Sequence, residues 1–366
     1  MTSLRFLLSL LLLPLFSVAL SACTREVIIE KEVHIVDTVY VTDSRIYTDT
    51  VYISDTLIKY VRKYDNPVIR SNAADPSIIR SDNGIFYLYS TESSVFPNIP
   101  IFKSIDLVNW YYVGTAFNDS TRPKSFAGNL WAPDINYVDG KYVMYYSMSK
   151  WGGEWDCGIG VAISDNPWGP YVEYAKLFDS RQIDVQNSID PFFIEDQGQN
   201  YLFWGSHHGI FGIRLSADGL SIEKDAEKFQ IAGSGGEGTY IHERDGKYYL
   251  FQSYGTCCNG LSSTYNIRVG RADNLCGPYF DRLGKSMMQS TGTLLLQGNA
   301  FVVGTGHNSE IITDDEGTDW ILYHGYLHSS PELGRLILLD KLSWDGDWPF
   351  IQGYGASLSS EIPYFK

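Results

Sequence analysis

Beyond its first 22 residues the sequence contains no apolar run long enough to cross a lipid bilayer, so we expect no transmembrane helix. Basic residues are scarce as well, with 28 Lys and Arg against 43 Asp and Glu, which gives a formal net charge of -15. A surface of this sign repels a phosphate backbone at every approach. We therefore expect no nucleic-acid partner.

Cysteine is rare, at five residues in 366, and none of the five has metal-ligand spacing with a histidine partner. Export would permit disulfides among Cys157, Cys257, Cys258 and Cys276, and the sequence does not pair them. Adjacency disfavours a bond between Cys257 and Cys258, because such a bond strains the chain. The sequence also lacks a glycine-rich strand-to-helix motif and a nucleophile elbow, which argues against phosphate-handling and redox functions.

The N-terminal 22 residues have the composition of an export signal. Arg5 supplies the positive charge, "FLLSLLLLPLFSVAL" supplies the apolar core, and "LSAC" resembles a bacterial lipoprotein cleavage box. The small residues Ser21 and Ala22 directly precede Cys23, which favours lipidation of this cysteine over an ordinary secretory signal. We expect an exported protein that is anchored to a bacterial membrane through a lipid on Cys23, and the membrane face stays open.

Residues 23–65 differ in character from the rest of the chain. Residues 25–60 read as six-residue units, "REVIIE KEVHIV DTVYVT DSRIYT DTVYIS DTLIKY", that are rich in β-branched residues. An even period keeps equivalent residues on one face of an extended strand, which is typical of a stalk, including one that self-associates into oligomers. A disordered tether is the other interpretation, and both stay open.

Residues 66–366 are predicted to form one large all-β domain, because 14% of the chain is aromatic and 44% is hydrophobic. A hairpin-like unit recurs five times, with a polar start, a strand, an Asp/Asn/Gly turn and an aromatic strand. The copies are "ADPSIIRSDNGIFYLYS", "APDINYVDGKYVMYYS", "DPFFIEDQGQNYLFWGS", "EGTYIHERDGKYYLFQS" and "GHNSEIITDDEGTDWILYHG".

Polar residues lead these copies: Asp75, Asp134, Asp190, Glu237 and His307, separated by 59, 56, 47 and 70 residues. This spacing leaves room for about four strands per copy, which is the size of a propeller blade. We therefore predict a five-bladed β-propeller in which the innermost strands bring the five leading residues to one central cavity.

Each leading residue also has a purely structural interpretation. Aspartate before proline forms turns, and a polar residue at a strand start caps free backbone N–H groups. Turn formation does not require the same end of every copy to be acidic, which favours a shared site. Asp134 follows its proline whereas Asp75 and Asp190 precede theirs, so the direction of the Asp134 side chain stays open.

Carboxyl groups that converge in one cavity suit the hydrolysis of a glycosidic bond. One protonated acid donates to the leaving oxygen, and one ionised carboxylate acts as base or nucleophile. Crowded carboxylates raise one another's pKa, which keeps one of them protonated near neutral pH. Trp131, Trp151, Trp155 and Trp204 lie near the motifs and are candidates for stacking on sugar rings, although a propeller core also uses Trp for packing.

Several longer stretches extend the pattern: "ADPSII", "LWAPDINY", "NSIDPFF", "FWGSHHGI", "EGTYIHERDGKYYLF", "GTCCNGLSSTYNIRVGRADNLCGPYFDRLGKSM" and "GTGHNSEI". Together they resemble glycoside hydrolase family 43, and particularly its arabinan endo-1,5-α-L-arabinosidase members. The resemblance covers the chain from about Asn66 to its end. It implies a five-bladed propeller that cleaves arabinan, a plant cell-wall polysaccharide, with inversion of configuration.

By motif position, the resemblance implies that Asp75 is the general base, Glu237 the general acid, and Asp190 the carboxylate that tunes and orients the acid. Inversion leaves room for water, so acid and base should stand about 6.5 to 9.5 Å apart. His307 of "GHNS" matches the position at which arabinanases hold a hydrated ion near the axis. The resemblance thus implies one calcium or sodium ion and no organic cofactor.

Candidate substrate contacts in or beside the same stretches are Trp131, Asp134, Asn187 and Ser206. The sequence departs from the arabinanase pattern at "EGTY", where "EAPY" is usual, and at "SHHG", which replaces an aromatic-rich version of the loop. These departures leave an exo-acting α-L-arabinofuranosidase or β-xylosidase open. A non-catalytic polysaccharide-binding propeller is the alternative of another class.

Overall fold

The computed structural model describes residues 38–42, 45–54, 57–125 and 127–366. The predicted signal peptide at residues 1–22 and the predicted lipidation site Cys23 lie outside these ranges. The chain divides into two compact units, of which one runs up to Asp65 and includes Ser359–Ile362. The other unit comprises Asn66–Leu358 and Pro363–Lys366. Within the described ranges, no helix has both the length and the apolar character that crossing a membrane requires.

The first unit is an antiparallel sheet made largely from the six-residue repeat, whose β-branched residues favour strands. Its strands in spatial order are β1 (Thr38–Thr42), β2 (Arg45–Ser54), β3 (Leu57–Asp65) and the C-terminal β25 (Ser359–Glu361). The part of the repeat before residue 38 lies outside the described residues. The function of this segment, as stalk or as tether, stays a prediction.

The second unit consists of five antiparallel sheets, the blades of a β-propeller, which confirms the predicted fold class. Blades 1 and 2 comprise β4 (Ser77–Arg80), β5 (Phe86–Tyr89), β6 (Pro100–Ser104) and β7 (Tyr111–Thr115), then β8 (Asn129–Val138), β9 (Lys141–Ser149), β10 (Gly158–Ser164) and β11 (Val172–Asp179). Blade 3 comprises β12 (Phe192–Asp196), β13 (Gln199–Trp204), β14 (Ile210–Arg214) and β15 (Phe229–Ala232).

Blade 4 comprises β16 (Gly236–Arg244), β17 (Lys247–Tyr254), β18 (Asn266–Ala272) and β19 (Thr293–Leu296). Blade 5 comprises β20 (Val302–Gly306), β21 (Ile312–Thr313), β22 (Asp319–Leu327), β23 (Leu336–Asp345) and β24 (Trp348–Phe350), with β20 and β21 both paired to β22. Helical structure among the described residues is limited to α1 (Ser180–Ile183) and single 3-10 turns at Gly260–Ser262, Pro331–Leu333 and Gln352–Tyr354.

The five predicted hairpins are the first two strands of the five blades, with blade 5 interrupted between β20 and β21. The second strand is aromatic because it lies in the middle of its blade and packs against both neighbouring blades. Its rings are fully buried: Tyr89, Tyr145, Phe203, Phe251 and Tyr323. Contacts such as the stacking of Tyr145 on Phe193, with centroids 5.4 Å apart, join adjacent blades.

Hydrogen bonds between blades 5 and 1 close the ring. The amide of Asn66 donates to the carbonyl of Leu339 at 2.8 Å and accepts from the Leu339 N–H at 2.9 Å. On the inner strands, the carboxylate of Glu310 accepts from the Ser77 hydroxyl at 2.7 Å and from the Ile78 N–H at 2.6 Å. Closure of this kind leaves the inner strands of all five blades around one axis, where the leading residues were expected to meet.

Candidate active site

A backbone bend recurs at the inner strand of every blade. One residue per blade is left-handed, with φ of 55°, 40°, 59°, 63° and 46° at Asp75, Ala132, Asp190, Gly238 and His307. Residues other than glycine rarely adopt this conformation, and aspartate does so more readily than most. In blades 1 to 4, regular pairing with the second strand begins or resumes two residues later, at Ser77, Asp134, Phe192 and Tyr240.

The positions of these bends show that the five leading residues are not all at equivalent positions in their blades. Asp75, Asp190 and His307 occupy the bend, but Asp134 lies two residues after the bend of its blade and Glu237 lies one residue before. Asp134 therefore lies level with Ser77 and Phe192, where regular pairing has begun, and neither Asp134 nor Glu237 is equivalent in position to Asp75. The pair Ala132-Pro133 matches Asp75-Pro76 in order, and that match was the sequence signal for the correct register.

The N–H of the bend residue bonds to the preceding blade. In four cases it donates to a side chain in or just after the second strand there: Asp75 to His324 Nδ1 (3.1 Å), Ala132 to Thr91 Oγ1 (2.8 Å), Asp190 to Ser147 Oγ (2.9 Å) and His307 to Ser253 Oγ (2.8 Å). Since a buried, unpaired N–H is costly, these bonds hold the strained bends in place.

The junction of blades 3 and 4 departs from this pattern. The N–H of Gly238 donates to Asp190 Oδ2 at 3.1 Å, because Gly205 occupies the place of Thr91 and Ser147 and has no side chain; the next residue, Ser206, donates to Glu237 Oε2 at 2.5 Å. Only glycine suits position 238, because φ is positive and an added Cβ would lie 3.2 Å from the His307 ring. The exchange of partners directs Ser206 and Asp190 toward the segment that carries Glu237.

The bends surround a cavity of about 450 Å³. Seven predicted site residues line it: Asp75, Trp131, Asn187, Asp190, Ser206, Glu237 and His307. The wall also includes residues that sequence reasoning did not select, among them Thr91, His207, Tyr265 and Arg335. Tyr265 lies in the quoted "STYNIRVGR" stretch, whereas Arg335 lies in a loop without a recognisable motif.

Asp75 is the buried carboxylate that neighbouring groups keep ionised. Its Oδ2 accepts from Thr91 Oγ1 at 2.5 Å, and its Oδ1 lies 3.2 Å from Arg335 Nη1 and 3.3 Å from His307 Nδ1. Burial alone would raise the pKa of Asp75, but Arg335, His307 and His324 together hold that pKa well below its ordinary value. Asp75 therefore remains an anion at neutral and mildly acidic pH.

His324 is a fully buried histidine that packs against Asp75. Its Nδ1 accepts the N–H of Asp75, so a proton on the neutral ring sits on Nε2. Burial, with a further contribution from Arg335, lowers the pKa of His324 to about 4, although Asp75 opposes this shift. His324 is therefore neutral near pH 7 and fixes the backbone of Asp75.

Glu237 lies between two hydroxyl groups. Its Oε1 accepts from the hydroxyl of Tyr265 at 2.8 Å and its Oε2 from Ser206, which in turn accepts from Asn187 Nδ2 at 2.8 Å. Burial, reinforced by Glu237, raises the pKa of Tyr265 well above its ordinary value, so the phenol keeps its proton. His207 Nε2 lies 3.4 Å from Glu237 Oε2 on the more exposed side. These contacts fix the orientation of the Glu237 carboxyl.

Asp190 has the opposite electrostatic character to Asp75. Burial first, and then the nearby charges of Glu237 and Asp75, raise the pKa of Asp190 well above its ordinary value. Its Oδ2 accepts the N–H of Gly238, the residue next to Glu237. Two aspartates in the same Asp-Pro motif thus take opposite protonation preferences because different charges surround them.

His307 lines the cavity and faces Asp75. Burial lowers the pKa of His307, although the charges of Asp75 and Glu237 oppose this shift. Over the ranges that the structure describes, no three His, Cys, Asp or Glu side chains form a group suited to hold a metal. The calcium or sodium ion beside His307 stays a prediction.

Asp134 lies outside the cavity, and its position does not support the expected contact with substrate. It is buried, and its Oδ2 accepts from the N–H of Phe193 in blade 3 at 2.8 Å and from Asn136 Nδ2 at 2.7 Å. Burial, and then the charge of Glu310, raise the pKa of Asp134 well above its ordinary value. The side chain joins two inner strands, as its place two residues after the bend dictates.

The four candidate tryptophans occupy different environments. Trp204 is fully buried, and its Nε1 donates to Ser188 Oγ at 3.1 Å, so it belongs to the core. Trp131 and Trp151 both line the cavity, and Trp151 is 79% exposed. The loop of Trp151 also carries Glu154, whose carboxylate lies 3.1 Å from His208 Nε2. This loop forms the rim of the cavity on the side of blade 2.

Cys257 and Cys258 form a disulfide with each other, so the expectation that their adjacency prevents a bond was wrong. They lie in the turn between β17 and β18, where the backbone reverses direction and brings neighbouring side chains together. Both residues line the cavity. Of the other cysteines in the described part of the chain, Cys157 is a buried thiol and Cys276 an exposed one.

Comparison with known proteins identifies the family of the chain. Residues 64–349 match the model of the family described as glycosyl hydrolases family 43. The chain is 36% identical to an extracellular exo-α-(1→5)-L-arabinofuranosidase of Cellvibrio japonicus, over 75% of this chain and 85% of that protein. It is 31% identical to an extracellular endo-α-(1→5)-L-arabinanase of Bacillus subtilis, over 75% of this chain and 86% of that protein.

Two solved structures of arabinanases have a fold similar to that of this chain. An α-L-arabinanase of Cellvibrio cellulosa, in complex with arabinohexaose, is similar to this chain with a TM-score of 0.68 and 32% sequence identity. The similarity covers 78% of this chain and 98% of that chain. An endo-arabinanase of Bacillus licheniformis is similar with a TM-score of 0.67 and 29% identity, over 78% of this chain and 99% of that one.

The raised pKa of Asp190 predicts a pH-dependent cost in stability. A group whose pKa is higher in the folded state destabilises the fold increasingly as pH rises above its unfolded pKa of about 4. Asp190→Asn keeps an oxygen for the Gly238 N–H and removes the charge. We expect the variant to be more stable than wild type by on the order of 1 to 3 kcal/mol at pH 7 and equal to it near pH 4.

Urea denaturation at both pH values measures this difference. Asp119→Asn is the matched control, because Asp119 is exposed, and we expect no pH-dependent gain there. A loss of stability in Asp190→Asn at pH 7 would show that ionised Asp190 stabilises the fold.

Proposed function

The chain belongs to glycosyl hydrolase family 43, and we propose that it hydrolyses α-1,5-linked L-arabinan by an inverting acid/base mechanism. The observation that carries the proposal is the convergence of three buried carboxyl groups, Asp75, Asp190 and Glu237, in one cavity, where the pKa values of Asp75 and Asp190 are displaced in opposite directions. Titratable groups that share a cavity but differ in protonation are the requirement for acid/base hydrolysis. The arabinan-active relatives supply the substrate class.

In the proposed mechanism, Asp75 is the general base. Arg335 and His307 lie beside Oδ1 of Asp75 and favour its negative charge. Thr91 donates a hydrogen bond to Oδ2. An ionised carboxylate can accept a proton from water as that water attacks the anomeric carbon. Attack from the face opposite the leaving group inverts the configuration of that carbon.

Glu237 is the proposed general acid, and Asp190 is the proposed group that tunes and orients it. Glu237 donates its proton to the leaving glycosidic oxygen, so that the reaction adds one water across the bond. Tyr265 and Ser206 orient the Glu237 carboxyl, and Asp190 bonds to the backbone N–H directly after it.

The substrate contacts proposed here are Trp131 and Asn187, which line the same cavity. Trp131 is half-buried and offers a flat ring for a sugar face, and Asn187 offers an amide for hydroxyl groups. Ser206 contacts Glu237 directly, so we assign it the positioning of the acid. Asp134 is left out of this set because it lies between blades.

We propose endo cleavage within the arabinan chain as the primary action. Exo action is the second candidate, favoured by the 36% identical relative that is named as an exo-acting enzyme. The loop with Trp151 and Glu154 forms one side of the cavity rim, where a longer polymer would have to pass. The products formed early in the reaction distinguish the two modes.

The test is a product time course on linear 1,5-arabinan with wild type, Glu237→Gln and Glu243→Gln. We expect wild type to release a mixture of arabino-oligosaccharides early and Glu237→Gln to lose activity by about 100- to 10,000-fold, because the amide cannot donate a proton to the leaving oxygen. Glu243 lies on the same strand, β16, but is exposed, so its variant should retain full activity.

Different results point to different functions. Release of one small product from the chain end identifies exo action, and activity on xylan or aryl xylosides in place of arabinan identifies the xylosidase alternative. Binding of arabinan without cleavage by wild type would overturn the enzymatic proposal and favour a polysaccharide-binding propeller. Unchanged activity in Glu237→Gln would refute the assigned acid.

We further propose that His307 contributes one nitrogen to a hydrated calcium or sodium ion near the axis. Such an ion would add positive charge beside Asp75 and favour its ionised form. We expect EDTA to lower the melting temperature and calcium to restore it, with a gain of about 2.7 kcal/mol at a calcium concentration 100 times Kd. His307→Gln should abolish this response, and an EDTA-insensitive wild type would exclude a chelatable divalent ion.

Export and lipid anchoring through Cys23 are also part of the proposal, since the relatives in Cellvibrio and Bacillus are named extracellular. We expect the protein expressed in a bacterial host to fractionate with membranes and Cys23→Ala to lose most of that association. Lipidation of Cys23 at the predicted cleavage site would then account for the attachment to the membrane. A Cys23→Ala protein that still sediments with membranes would rule out this anchor.

A further inference from the structure

The Cys257–Cys258 disulfide forms part of the cavity wall in which Glu237 and Tyr265 also lie. Cys257 is half-buried and Cys258 is exposed, so the bridge is accessible from the cavity and from solvent. A disulfide carries no hydrogen-bond donor and its sulfurs accept only weakly, but they are polarisable. Its surface is therefore suited to C–H groups, whereas Glu237, Ser206 and His207 on the same wall offer hydrogen-bonding groups.

Hydrogen bonds across the base of the loop hold the bridge in place. Ser263 Oγ accepts the Asn259 N–H at 2.9 Å and donates to the carbonyl of Cys257 at 3.3 Å. The N–H groups of Thr256 and Thr264 each bond to the hydroxyl of the other threonine at 3.1 Å. The disulfide thus has a defined position on a closed loop.

The chain leads directly from this loop to the acid. Tyr265, which follows Thr264, donates its hydroxyl to Glu237 Oε1 at 2.8 Å. The bridge therefore lies on the Glu237 side of the cavity, while Arg335 and Thr91 surround Asp75.

We propose that the Cys257–Cys258 disulfide is a substrate-contact surface that packs against the C–H face of the arabinose residue bound beside Glu237. The inference rests on the arabinan hydrolysis proposed above. Carboxyl and amide groups of the cavity match the hydroxyls of this sugar, and its ring C–H groups and C5 methylene require an apolar partner. Loss of such a contact weakens substrate binding and leaves the acid and base in place.

Replacement of both cysteines tests this assignment. We expect Cys257→Ala/Cys258→Ala to raise KM for a linear arabino-oligosaccharide about tenfold, the scale of one lost apolar contact, with kcat within about twofold of wild type. Cys276→Ser is the matched control: it removes an exposed free thiol, and we expect both constants to remain those of wild type.

If the disulfide has only a structural function, kcat and KM should change in a different way. If the disulfide only held Tyr265 in place, its loss would displace the hydrogen bond to Glu237 and lower kcat, as we expect for Tyr265→Phe, while KM would change little. The pH profile of kcat/KM would then shift as well, because the environment of Glu237 would differ. A kcat loss with unchanged KM in the double variant therefore overturns the proposal.

Chemical reduction of the wild type gives an independent measurement if the double variant fails to fold. A water-soluble phosphine reduces the disulfide to two thiols and becomes the phosphine oxide, with water supplying the oxygen and the two protons. Within the described residues this is the only disulfide, so we expect the same rise in KM, reversed on reoxidation. Cys276→Ser, treated with the phosphine in the same way, shows whether the exposed free thiol contributes to the change.

The results separate the two proposals. A wild type that does not cleave arabinan overturns the proposed function and this inference together. A wild type that cleaves arabinan, with KM unchanged by both reduction and the double substitution, leaves the proposed function intact and overturns the inference alone.

Discussion

The bond between each left-handed inner residue and the preceding blade is the constraint on which the rest of the propeller depends. A left-handed aspartate, alanine or histidine is unfavourable by itself and persists because its N–H has a partner on the neighbouring blade. Repetition around the axis joins blade to blade at the same height. The same bend turns the side chains of Asp75, Asp190 and His307 toward the cavity.

The departure from this rule lies where the proposed acid lies. Between blades 3 and 4, glycine occupies the bend, and the Asp190 carboxylate accepts the N–H that a serine, threonine or histidine side chain accepts at the other junctions. Ser206 is thereby available to Glu237, one residue before the bend. This change of hydrogen-bond partners in one repeat places Asp190 and Ser206 against the segment that carries the proposed proton donor, Glu237. The regular repeat builds the propeller, and the irregular junction between blades 3 and 4 holds the residues that are proposed to carry out the chemistry.

The charges around Asp75 differ from those around Asp190, and this difference matches the functions proposed for the two carboxyl groups. Asp75 and Asp190 share the Asp-Pro motif, the left-handed backbone and deep burial. Arg335 and two histidines surround Asp75, whereas Asp190 meets the negative charges of Glu237 and Asp75. Their pKa values therefore move in opposite directions. The arginine responsible comes from blade 5, about 260 residues further along the chain, and no local motif marks it.

The sequence alone was sufficient for the five blades, because alternating aromatic strands and turn residues act locally and repeat. It was also sufficient to place Asp75, Asp190 and Glu237 at the blade starts. Tertiary structure decided the rest: that Asp134 joins two blades, that Cys257 and Cys258 bond, and that Tyr265 and Arg335 complete the cavity. These outcomes depend on backbone direction and on contacts between distant segments, and a pattern of residue types along one chain carries neither.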